Sequence, residues 1–151
     1  MRSRLIEAAA GRQAGTLWFP KLDVADLGAA ATDRSTGQDY RGATVDSAPV
    51  VAMTLAAILD GAALVDLLHV DIQGGEFDFL AANVDLLAAR VGAMLVGTHS
   101  RVIEGALIEL LLRQGWTLAR EKPCRVDWSR QTPHLTGRTQ NDGCQYWRRR
   151  P

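Results

Sequence analysis

Two short stretches hold the residue types that acid–base chemistry needs. In Asp71-Ile72-Gln73-Gly74-Gly75-Glu76, two carboxylates and an amide surround a pair of glycines; in Thr98-His99-Ser100, an imidazole ends an apolar run. An imidazole ionises near neutral pH and can take or give a proton. A carboxylate beside it can orient it, and Gln73 offers a neutral amide suited to a hydroxyl. Gly74 and Gly75 accept backbone angles that bulkier residues resist and let a ligand approach the main chain. Asp71, His99 and Glu76 are therefore the candidate catalytic residues, and Gln73, Gly74 and Gly75 the candidate substrate-binding ones.

For the two stretches to meet, the chain must bring two strand ends side by side. Residues 64–71, LVDLLHVD, are almost continuously apolar, as in a parallel strand covered on both faces. From Glu76 to Arg90 the period becomes helical, with Phe77, Leu80, Val84 and Leu87 on one face and Gly92 closing it. The grammar then repeats. Residues 93–98 read as a second strand, His99-Ser100 as its exit, Val102 to Gln114 as a helix capped by Ser100 and stopped by Gly115, and 116–120 as a third strand. Alternating strands and helices predict a parallel sheet, in which ligands collect beyond the carboxyl ends of the strands. Neighbouring strands lie roughly 5 Å apart, so Asp71 and His99 are expected to face one pocket.

The flanks are less regular. Residues 124–141 read as a loop, Asp142-Gly143 as a turn, and Cys144 to Trp147 as an antiparallel edge strand. Leu5 to Ala10 and Gly15 to Phe19 read as strands, and 22–46 is ambiguous. Residues 47–61 suit either a helix or a strand over Pro49 to Met53 with a short helix capped by Thr54.

Each candidate has a structural competitor. Asp71 competes as a helix cap, His99 as a donor to a backbone carbonyl, and Glu76 and Asp78 as partners of a helix N-terminus, which for Asp78 is the whole expectation. His69 reads as a satisfied core or interface histidine, and His134 stands in a polar loop with nothing around it. Trp116 and Trp147 read as packing anchors. The histidines share no ligand spacing and there is no paired C-x-x-C, so no metal is expected. A magnesium ion held through waters by Asp71, Glu76 and His99 ranks below a metal-free site. The only lysines, Lys21 and Lys122, are remote from the motif, which argues against a lysine-assisted nuclease.

Composition bounds the rest. With 151 residues, 47% of them hydrophobic, the chain fills one core and hardly two. Its formal net charge of zero provides no field toward nucleic acid or an anionic membrane, and Arg148-Arg149-Arg150 reads as a solvated tail. Apolar runs are broken within a dozen residues, the N-terminus lacks the form of a secretory signal, and Cys124 and Cys144 form no motif. Reduced thiols and a cytoplasmic location are expected.

The segments VDLLHVDIQGGEFDFL, VGAMLVGTHSRVIEGALIELLLRQGW and DGCQYW resemble the C-terminal half of an FkbM-type S-adenosylmethionine-dependent methyltransferase. The resemblance covers about residues 4–147 and is strongest over 64–121. It implies an α/β, Rossmann-like class I methyltransferase fold: a mostly parallel sheet with an antiparallel C-terminal edge strand, in one partial domain over 1–151. It also favours the strand at Pro49 to Met53. One departure matters: such enzymes grip the cofactor with a glycine-rich turn after their first strand, and no G-x-G-x-x-G exists here. On this frame the chain begins at the third strand, lacks the first two, and holds S-adenosylmethionine weakly or not at all. No cofactor-binding residue is assigned.

The implied reaction is O-methylation of a small-molecule or glycan hydroxyl, an in-line displacement that needs alignment and a base. Asp71 then orients the acceptor or touches the methionine end of the cofactor, His99 is the base, and Glu76 orients His99 or binds the acceptor. The alternative is a non-catalytic α/β remnant or interaction module. Its unpaired sheet edge would favour self-association.

Overall fold

The computed structural model describes residues 3–21, 29–33, 44–133 and 135–149. The four-stranded sheet that carries the candidate site contains β4 (Val65–Val70), β5 (Val91–Thr98), β6 (Trp116–Lys122) and β9 (Gly143–Arg149), in the order β4-β5-β9-β6. β4 and β5 are parallel, in register from Val65 opposite Val91 to Val70 opposite Val96. β9 is antiparallel to both of its neighbours, so β5 and β6 run the same way without touching.

This corrects the expected edge strand. β9 is antiparallel, as its sequence predicts, but it lies inside the sheet. The connection from β5 through α4 (Arg101–Arg113) to β6 skips one strand position, and the last strand fills that slot. Its Gly143, Gln145 and Trp147 are buried in strict alternation, and ladder bonds satisfy its backbone on both sides.

β4 departs from expectation too. The apolar run predicts cover on both faces, yet Leu67 is 53% exposed and His69 is exposed rather than a core histidine. Among the described residues β4 pairs with β5 alone, so it is an edge.

The predicted helix over Glu76 to Arg90 is two helices, α2 (Glu76–Ala81) and α3 (Val84–Arg90). Asn83 makes the break: its amide nitrogen donates to Phe79 O at 2.7 Å and its backbone N–H to Leu80 O. Such local bonds compete with the helical ladder, which is why asparagine favours helix ends. Gly92 does not close the helix but lies in β5. α4 has its expected cap, with Ser100 Oγ accepting from Ile103 N at 3.2 Å, and Gly115 stops it at φ 79°.

The helices and the sheet enclose one core built around Leu80, Leu87, Met94, Leu107, Leu111 and Trp147. Trp116 and Trp147 anchor the last strands in it, as expected.

A smaller sheet has the order β1-β3-β2, with β1 (Ala9–Ala10), β2 (Gly15–Pro20) and β3 (Ser47–Met53). Strand thus prevails over helix at Pro49 to Met53, and α1 (Leu55–Leu59) follows, with Thr54 accepting from Ala57 N. The segment expected to be a loop folds instead into a ribbon of β7 (Arg125–Val126) and β8 (Thr139–Asn141), with the short helix α5 (Leu135–Arg138) leading into β8. His134 and most of residues 22–46 lie outside the described residues.

Candidate functional site

The turn after β4 is built around a buried acid. Glu76, the first residue of α2, folds back so that Oε1 accepts from Ile72 N at 3.0 Å and both carboxylate oxygens accept from Gly74 N at 3.1 Å. That geometry needs unusual backbone angles: Gln73 has φ 54° and Gly74 φ 104°. Gly75 has an ordinary φ of −88°; its lack of a side chain matters because a Cβ would stand 3.3 Å from Ile72 Cδ1.

Asp71 does not cap α2, whose N-cap is Gly75 and has no side-chain bond. Its carboxylate instead receives the Gln73 amide at 3.2 Å and lies across β5. Gly97 permits this, since a Cβ there would come within 2.9 Å of Asp71 Cγ. No local motif marks Gly97. Its one signal is a glycine placed inside a strand, where close approach of another group is a standing reason for it.

His99 is fixed between the end of β5 and the cap of α4. Its backbone carbonyl accepts from Thr139 Oγ1 at 3.0 Å, which ties β8 to it. Its ring is 2% exposed. Nδ1 lies 2.9 Å from Glu76 Oε1, and Nε2 lies 3.3 Å from Asp71 Oδ1 and 4.0 Å from Asp142 Oδ2. All three predicted catalytic residues therefore meet, with His99 between the two acids. Glu76 is fully enclosed, so it can orient His99 but cannot reach an acceptor. By sequence Asp142 belongs only to a turn, and nothing local marks it as a neighbour of His99.

Burial pulls the His99 pKa down, but the bond and charge of Glu76, with Asp142 and Asp71 adding, outweigh it and hold the value above 6.5. The neighbouring carboxylates thus favour the protonated ring more than water would.

A second buried acid braces the site from behind. Glu104 Oε1 accepts from Thr98 Oγ1 at 3.0 Å and Cys124 N at 2.6 Å, and Oε2 from Arg101 Nη1 at 3.1 Å. Burial and Glu104 raise the Cys124 thiol to about 11, and it is not disulfide-bonded.

Two hollows meet here. A cleft of 550 Å³ runs between the small sheet and the Asp71–Gly75 turn, touching Arg12, Phe19, Ala30, Asp71 and Gly74. A crevice of 280 Å³ opens on the other side, touching His99, Arg130, Gln140 and Asp142, and Thr136 borders both.

Donor atoms of Asp71, Glu76 and His99 lie within 4.8 Å of one another, close enough to surround a cation. Ligation by Glu76 would compete with the bonds that its oxygens already make to Ile72, Gly74 and His99. The donor set is better suited to sharing protons.

A family model described as the methyltransferase FkbM domain matches residues 4–114. The chain belongs to the FkbM methyltransferase-domain family. In this FkbM-domain chain the match runs from before β1 to the end of α4 and includes Asp71, Glu76, Gly97 and His99. β6, the β7–β8 ribbon and Asp142 fall beyond it. A protein of Jannaschia sp. (strain CCS1) named "Putative methyltransferase" is 52% identical over 59 residues, which are 39% of this chain and 21% of that protein. The matched stretch thus spans about a fifth of that relative's length. No solved structure matches the chain.

Proposed function

We propose that this FkbM-domain chain forms the transfer side of an S-adenosylmethionine-dependent O-methyltransferase acting on a small-molecule or glycan hydroxyl, with a Rossmann-like frame around it. The observation that carries the reading is His99, seated between Asp71 and Glu76 at the ends of two adjacent parallel strands. Open α/β sheets bind their ligands at such ends.

The cofactor fits in part. The 550 Å³ cleft is of ligand size. The turn at Asp71–Gly75 offers it a carboxylate and a close main chain, but no glycine-rich turn is present in the sequence for the nucleoside end. When bound, S-adenosylmethionine supplies the electrophilic methyl group. Asp71, whose side chain is 45% exposed, orients the incoming hydroxyl. His99 accepts the hydroxyl proton at Nε2 while Glu76 holds the Nδ1 proton and stabilises the imidazolium. Because the His99 pKa is raised, the base form grows as pH climbs through that value, and the rate climbs with it.

Calorimetric and amide-resolved NMR titration with S-adenosylmethionine tests the reading. Saturable shifts in residues 71–76, with affinity weaker than micromolar, are expected. No response in the turn at millimolar cofactor would overturn it.

One observation favours a non-catalytic interaction module instead. β4 has a single partner strand among the described residues, and Leu64 and Leu67 beside that edge are exposed. Concentration-dependent sedimentation with no cofactor response would support that reading.

A further inference from the structure

We infer that the crevice walled by β8 is the acceptor subsite, and that it takes a neutral, hydroxyl-rich ring such as a pyranoside. This rests on the methyltransferase reading and adds the substrate class. The carrying feature is the division of space. His99 borders the 280 Å³ crevice, whereas Asp71 and the glycine turn border the 550 Å³ cleft. The facing pair, 3.3 Å apart, therefore stands where the two spaces adjoin. A molecule in each would meet at His99 Nε2 and Asp71.

The charge of the crevice selects its occupant. Asp142 and Asp71 both flank His99 Nε2. Arg130, among the described residues the one cationic side chain bordering the crevice apart from His99, directs Nη1 to Gly137 O at 3.2 Å and Thr139 O at 3.1 Å, with Nε 3.6 Å from Asp127 Oδ2. A phosphate or carboxylate would stand against the Asp142 carboxylate, whereas hydroxyl donors find acceptors on Asp142 and Gln140.

The wall is also held in place. Thr139 Oγ1 bonds the His99 carbonyl, and Arg138 Nη1 donates at 3.3 Å to Trp128 O on the turn that carries Arg130. A hollow bordered by Thr136, Thr139, Gln140 and Asp142 suits a sugar, whose rim of hydroxyls finds several polar partners there.

The test is NMR titration of the whole chain, without cofactor, using methyl α-glucopyranoside and, at matched ionic strength, inorganic phosphate. Saturable shifts at Gly137, Gln140 and the His99 ring are expected with the pyranoside and not with phosphate. Asp142→Asn and Gln140→Ala should each weaken binding about five-fold, the loss of one good contact. Should Asp142→Asn disturb the amide spectrum, Gln140→Ala reads the same wall.

Saturation by phosphate, pyranoside shifts confined to residues 71–76, or no pyranoside response at about 100 mM would overturn the inference. A separate titration with S-adenosylhomocysteine distinguishes the two readings. A sugar response without a cofactor response removes methyl transfer and keeps the sugar site; the converse removes only the sugar site.

Discussion

His99 draws its properties from partners that lie far from it in the chain. Replacing Glu76 with Gln keeps a hydrogen-bonding group beside Nδ1 and removes the charge, so the His99 pKa should fall; the ring-proton shift followed against pH measures this. Glu76→Ala goes further. It leaves two backbone N–H groups and a buried imidazole without their acceptor, at a cost of about 2–4 kcal/mol in urea unfolding. The same pair makes stability depend on pH. The folded value lies above the unfolded 6.5, so the contribution of the imidazolium is complete below about pH 6.5 and is lost as pH rises through the raised value. The urea midpoint should decline over that window in the wild type and stay flat across it in His99→Asn. An equal decline in both would remove the charge pairing.

At the scale of elements, two glycines let the strands and turns converge on the site. A methyl group at Gly143 would collide with the Glu104 carboxylate and the Thr98 hydroxyl, the buried brace behind His99. Gly143→Ala should therefore destabilise by about 1–3 kcal/mol or more, read as a fall in the denaturant midpoint. Gly97→Ala is expected to act differently. It pushes against Asp71, whose carboxylate is partly exposed and can swing away, so stability should change little. The Asp71–His99 contact should open, and the His99 pKa should drop toward its ordinary value. β9 holds the middle of the sheet, and Trp147→Ala at its centre should cost about 3–5 kcal/mol because it removes a fully buried ring from the core and leaves a cavity.

On the scale of the whole molecule, the open side of β4 dominates the expected solution behaviour. A strand with one partner and exposed leucines invites pairing with another chain. Self-association that grows with concentration is the expectation, and Leu67→Lys, which sets a charge on the exposed face of that edge, should suppress it in sedimentation velocity. Unchanged association in that variant would move the contact elsewhere.

Local chemistry made much of this protein legible. Strand-formers before Asp71 and His99, a capping serine at position 100 and a stop at Gly115 act over a few residues, so β4, β5, α4 and the DIQGGE turn could be read in order. The contact of Asp71 with His99 followed from one general rule about adjacent parallel strands, but the two border separate hollows and not the single pocket expected, because the buried ring and the partly exposed carboxylate face opposite sides of the rim. The interior place of β9, the exposure of β4 and the arrival of Asp142 beside His99 are different in kind. They depend on which strand positions remain unfilled once the crossover through α4 is made, a matter of long-range packing that no window of the sequence encodes. Residue types along the chain specify which groups can exchange protons; which of them enclose the imidazole is settled by the packed fold, because burial and partnership are set by residues distant along the chain.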